Sequence, residues 1–131
     1  MPTVFVTGAN RGLGFEHVKQ YAHKGWKVIA CARNPDQADQ LLDLQNEYGE
    51  SFIIEQLDVT NHDSIDNLAN NYQGMAIDVL INNAGFGINK AFSASEITAE
   101  QQMFDVLVRT PMRLMHTAIP GMKQRNSGTI I

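Results

Sequence analysis

Strand-like and helix-like apolar patterns alternate along the whole chain, and that alternation restricts the fold more than any other feature. Thr3 to Thr7 (TVFVT) is a β-branched run ended by Gly8, the mark of a short buried strand. From Gly14 to Lys24 the spacing turns helical: Phe15, Val18, Tyr21 and Ala22 share one face, and Gly25 stops it. Trp26 to Ala32 (WKVIACA) reads as a second strand. NPDQ then starts a helix, with Asn34 as cap and Pro35 at its first position. Leu41, Leu42, Leu44 and Tyr48 supply its apolar side, and Gly49 closes it. Ser51 to Leu57 is a third strand, and Thr60 or Asn61 caps a helix through Ile65, Leu68, Ala69 and Tyr72. Ile77 to Asn82 is a fourth strand. After a loop from Asn83 to Ser95, a long helix is predicted over residues 97–123, bent at Pro111 and frayed from Pro120. SGTII then opens a fifth strand, apolar enough for burial on both faces.

The order βαβαβαβαβ places the chain in the α/β class, with a parallel sheet covered by helices on both faces. Right-handed crossovers make it a Rossmann-type doubly wound sheet, its five strands expected in the order 3-2-1-4-5. The 131 residues are 44% hydrophobic and 18% charged, which suits one domain with a sizeable core. No repeat, linker or low-complexity stretch divides it, so residues 1–131 are read as a single domain.

The net charge of −4 is scattered in both signs, giving no electrostatic footprint for nucleic acid or an anionic membrane. Cys31 is the one cysteine, so no internal disulfide forms, which fits a reducing compartment. No run approaches the roughly 18 apolar residues of a membrane span, and the opening MPTVFVTG is too short for a signal core. A soluble, cytoplasmic chain is the expectation. His17, His23, His62 and His116 have no metal-ligand spacing and read as surface histidines, so no metal site is expected. Met103, Met112, Met115 and Met122 read as core or interface, and Cys31 as a small buried hydrophobe.

Between the first strand and the first helix lies TGANRGLG, Thr7 to Gly14. Gly8 lets the chain leave the strand in a tight turn, Gly12 lets backbone approach a pyrophosphate, and Gly14 lets helix and strand pack closely. The helix start offers unsatisfied N–H groups and partial positive charge to phosphates. Gly8, Asn10, Arg11, Gly12, Leu13 and Gly14 are therefore candidate dinucleotide-binding residues. An NAD site usually has an acid about 20 residues on, for the ribose 2′-OH. Here that region reads CARN and holds Arg33 instead. With Arg11 as a second cation, it points to the 2′-phosphate of NADP rather than to NAD.

Three motifs then resemble the short-chain dehydrogenase/reductase superfamily. TGANRGLG is similar to its TGxxxGxG loop, LDVT (Leu57 to Thr60) to its stretch after the third strand, and NNAG (Asn82 to Gly85) to its motif after the fourth. The resemblance covers essentially the whole chain. It implies that Asp58 bonds the adenine amino group and that Val59 contacts the adenine through its backbone. It further implies that Asn82 steadies the central sheet and that Ala84 and Gly85 line the nucleotide. The implied function is reversible hydride transfer between NADP(H) and a small carbonyl or alcohol. A non-catalytic dinucleotide-binding module or sensor is the alternative. Homo-oligomer formation through the helix 97–123 is also implied.

Two departures stand out. Where the family carries an asparagine in the long helix, MFDVLVRTP places Leu107, a residue with no polar atom for a proton relay. Leu107 is expected to share a face with Met103, Thr110 and Leu114 and to pack into the core. The family also uses a serine and a Tyr-x-x-x-Lys pair, in which lysine lowers the tyrosine pKa. Here Tyr21 is followed four on by Gly25, Tyr48 by Phe52 and Tyr72 by Ala76. No catalytic residue is therefore assigned, and the chain is expected to be a cofactor-binding portion, truncated before the Ser-Tyr-Lys segment and inactive alone.

Overall fold

The computed structural model describes residues 1–58 and 61–131. Among them, strands β1 (Thr3–Val6), β2 (Lys27–Ala32), β3 (Phe52–Gln56), β4 (Val79–Ile81) and β5 (Thr129–Ile130) form one sheet in the order β3-β2-β1-β4-β5. Every neighbouring pair is parallel. Helices α1 (Gly12–His23), α2 (Asp39–Tyr48), α3 (His62–Asn71), α4 (Ile97–Phe104) and α5 (Thr110–Arg125) connect them.

Successive strand residues point to opposite faces, so each strand feeds two cores. Val4, Val6, Val28, Ala30 and Ile81 pack with Val18 and Ala22 of α1 and Leu41 and Leu44 of α2. Phe5, Ile29, Cys31 and Leu80 pack on the other side with Ile65 and Leu68 of α3 and Leu114, Ala118 and Met122 of α5. Phe5 meets Tyr72 edge-on, ring centroids 5.3 Å apart. Apolar residues on both faces explain why these strands read as continuous runs and not as alternations.

Several boundaries differ from the sequence expectation. Asn34 caps no helix: Pro35–Gln37 forms a 3-10 turn with no side-chain cap, and α2 starts later, at Asp39. Proline fixes the first position of the turn, but Ala38 leaves helical geometry (ψ 64°) before α2 can continue it. Asn61 does cap α3, its side chain accepting from the N–H groups of Asp63 and Ser64. The other candidate cap, Thr60, lies outside the described residues.

The long helix is interrupted. Between α4 and α5, Asp105–Arg109 forms a π turn immediately before Pro111. The wider turn shifts the register by one residue, so Val106, Thr110, Leu114, Ala118 and Met122 form the buried stripe. Leu107 is thereby put out of the core that its spacing promised and is 50% exposed. Pro120 does not fray the helix, which runs on to Arg125. Pro120 is exposed, and the single bond it removes is tolerated on the solvent side.

The fifth strand takes its expected place next to β4. Thr129 and Ile130 are exposed at the edge of the sheet. Their backbone is well held, with the Thr129 N–H donating to the Asp78 carbonyl (2.8 Å) and the Ile131 N–H to that of Leu80 (2.9 Å). Its position at the edge of the sheet leaves the side chains open.

Candidate functional site

In a doubly wound sheet, ligands bind outside the carboxyl ends of the strands, where the strand order reverses. Here the reversal falls between β1 and β4. A cleft of about 830 Å³ lies there, within the range of small-molecule and cofactor sites. Gly8, Asn10, Arg11 and Gly12 line it from the first loop, and Cys31 to Asn34 from the end of β2. Asn83 to Phe86 line it from the loop after β4, with Gln102 and Val106 opposite.

Local backbone needs set the glycines. Gly8 has φ +64°, and a Cβ there would stand 2.9 Å from the Ala84 Cα. Gly12 has φ +58° and open space where a Cβ would be. Both conformations are strained for any residue with a side chain. Gly14 is buried, and a Cβ on it would run into the Gly8 carbonyl first and then the Asn83 Nδ2 at 2.5 Å, so it lets the helix start pack against its own loop and the loop after β4.

A polar clasp binds the two loops. The Asn83 Nδ2 donates to the carbonyls of Thr7 (3.2 Å) and Gly8 (3.0 Å). The Ala84 N–H donates to the Thr7 Oγ1 at 3.0 Å. Sequence alone gives Thr7 and Asn83 no role. Each adjoins a residue that the motifs mark, Gly8 and Asn82, and that adjacency is the available signal. On the other side, the Ala9 N–H donates to the Cys31 carbonyl at 2.9 Å, drawing the glycine loop against the end of β2.

The charged side chains among the cleft-lining residues are two arginines, Arg11 and Arg33. The Arg33 Nε stands 3.9 Å from the Asp58 Oδ1, with both side chains well solvated. Exposed pairs of this kind contribute at most about 1 kcal/mol, so Arg33 remains available to a ligand. The Asp58 N–H donates to the Ser64 Oγ, which ties the turn after β3 to α3. At the start of α1 no side chain caps the N–H groups and no acid stands in the first turn. That leaves an uncompensated positive helix end beside the cleft.

The other candidates fall further out. Leu13 is 75% exposed, so what it offers is backbone in the first turn of α1. Asn82 bonds the edge strand: its N–H and its Nδ2 both donate to the Ile131 carbonyl, at 2.7 and 3.4 Å. Val59 lies outside the described residues. His62 is more than a bare surface residue, for its Nε2 meets the Asp105 Oδ2 of the π turn at 2.9 Å. Cys31 sits at the cleft floor with its thiol pushed up by burial, and further by Glu55, so it is held as the neutral thiol.

The family model for short chain dehydrogenases matches residues 2–131. This chain belongs to the short-chain dehydrogenase family. Across 98% of its length it is 32% identical to retinol dehydrogenase 8 of Bos taurus, covering 43% of that enzyme. It is 36% identical, again over 98% of its length, to an NADP-dependent 3-hydroxy acid dehydrogenase of Salmonella typhi, covering 52% of it. Among solved structures, a short-chain dehydrogenase from Sphingobium yanoikuyae in complex with NADPH matches with a TM-score of 0.90 at 26% identity. That match covers 99% of this chain and 52% of the other. The chain thus spans about half the length of the relatives it matches. Among the described residues, no helix is long and apolar enough to cross a membrane.

Proposed function

We propose that the cleft holds NADP(H), and that the chain is the dinucleotide-binding part of an oxidoreductase that moves hydride reversibly between this cofactor and a carbonyl or alcohol. One observation carries the choice of nucleotide. In a chain of net charge −4, the charged residues lining the cleft are both cations. The Ala9–Cys31 bond brings their two segments together, so Arg11 and Arg33 flank the same side. That pairing suits the 2′-phosphate, and the one carboxylate recorded beside Arg33 among the described residues, Asp58, is not among the cleft-lining ones. The Salmonella and Sphingobium relatives, one named as NADP-dependent and one bound to NADPH, support the same reading.

The remaining roles follow from position. Gly8 and Gly12 keep the backbone low, and the first N–H groups of α1, from Gly12, Leu13 and Gly14, receive the pyrophosphate. Asn10 lines the same loop. Ala84 and Gly85, which line the cleft, lie against the nucleotide. The family resemblance gives Asp58 to the adenine amino group. Asn82 steadies the sheet through Ile131. The cofactor supplies the hydride chemistry.

A competition experiment tests the assignment. Against bound NADPH, adenosine 2′,5′-bisphosphate should compete at least about tenfold better than adenosine 5′-monophosphate, the worth of one charge-assisted contact. Arg33→Ala should remove most of that preference. Equal competition by the two nucleotides would refute NADP in favour of NAD.

We also propose that two copies pair along the long helical stretch. Phe104, Val108, Met112 and Ile119 form an exposed apolar stripe there, a kind of surface that monomeric proteins seldom leave open.

A further inference from the structure

The π turn gives Leu107 a place that an unbroken helical pattern would not give it. In an uninterrupted helix, residue 107 would turn into the core with residues 103, 110 and 114. The wider turn moves Val106 into the core stripe instead. Leu107 is left half exposed, with its Cδ2 3.2 Å from where a Cβ on Gly85 would stand. Phe86, half exposed and lining the cleft, follows Gly85 directly. Val106 lines the cleft from the same turn.

The two ends of the cleft therefore differ in kind. Arg11, Arg33 and Asn34 make one end polar and cationic. At the other end Phe86 and Val106 line the cleft with Gln102 as the polar neighbour, and Leu107 packs behind the lining residue Gly85. A dinucleotide spans the switch point of such a sheet, so if the arginines hold the adenosine ribose, the second nucleoside lies on the β4 side. That placement rests on the NADP(H) reading.

We propose that Leu107, with Phe86, is an apolar wall that shields the nicotinamide ring of the bound cofactor from water. Aliphatic carbon in this position excludes solvent where a polar side chain would admit it, and a dry site strengthens every electrostatic interaction within it.

The test is the fluorescence of NADPH bound to the chain, quenched by acrylamide, a neutral probe of access. Leu107→Asn and Leu107→Ala should each raise the quenching constant of bound NADPH by about twofold or more, while Leu107→Met keeps it near the native value. Phe86→Ser should act in the same direction. Leu107 lies outside the core, so these variants should fold, as circular dichroism and urea midpoints can verify. Normal NADPH binding with quenching unchanged in Leu107→Asn, Leu107→Ala and Phe86→Ser would overturn the shielding role alone. No NADPH binding by the native chain would overturn the cofactor reading, and this inference with it.

Discussion

Gly8 and Gly12 occupy the same left-handed region for different reasons, and substitution separates them. Alanine at Gly8 meets both backbone strain and the Ala84 Cα at 2.9 Å. Alanine at Gly12 meets the strain alone, in open space. Gly12→Ala should cost about 1–2 kcal/mol in urea unfolding, and Gly8→Ala distinctly more. Cys31 offers a second test at this scale. Its thiol pKa is raised by burial first and Glu55 second. The folded state therefore keeps a proton that the unfolded chain loses above about pH 8.5. That contribution to stability is complete below this pH and declines as pH rises through it. Cys31→Ala should flatten the fall in unfolding free energy between about pH 8.5 and 9.5, and native Cys31 should resist thiol reagents until denaturant is added. The glycines and Arg33 were legible in sequence because backbone conformation and charge are properties of one residue. The Asn83 clasp was not, because its partners lie 75 and 76 residues away.

At the scale of elements, that clasp is what makes two loops into one rim. Asn83→Ala removes donors to the Thr7 and Gly8 carbonyls and should cost about 1–3 kcal/mol by urea unfolding, the range for leaving buried acceptors without their donor. NADPH affinity should fall with it, because the glycine loop loses its support. Strand positions were readable because apolar residues on both faces give unbroken runs, so Phe5, Ile29 and Leu80 announced themselves. The π turn was not readable. A period of 3.6 assigns Leu107 to the core, and one additional residue in the turn between Asp105 and Arg109 reverses that assignment. The same limit affected Asn34: a proline marks where a helical turn can begin, but not whether it continues.

At the scale of the whole chain, the stripe along α4 and α5 is the apolar surface that stands open among the described residues. Met112→Lys with Ile119→Lys should make the chain monomeric in sedimentation equilibrium, and a dimer that survives both substitutions would contradict pairing along the helices. The strand order was legible from the alternation and the handedness of crossovers. The central claim concerns the cleft that this topology leaves between β1 and β4, and calorimetric titration of the chain with NADPH and NADH tests it most directly. Saturable binding of one NADPH per chain, at least about tenfold tighter than NADH, is the predicted result. Absence of binding by both nucleotides would contradict it.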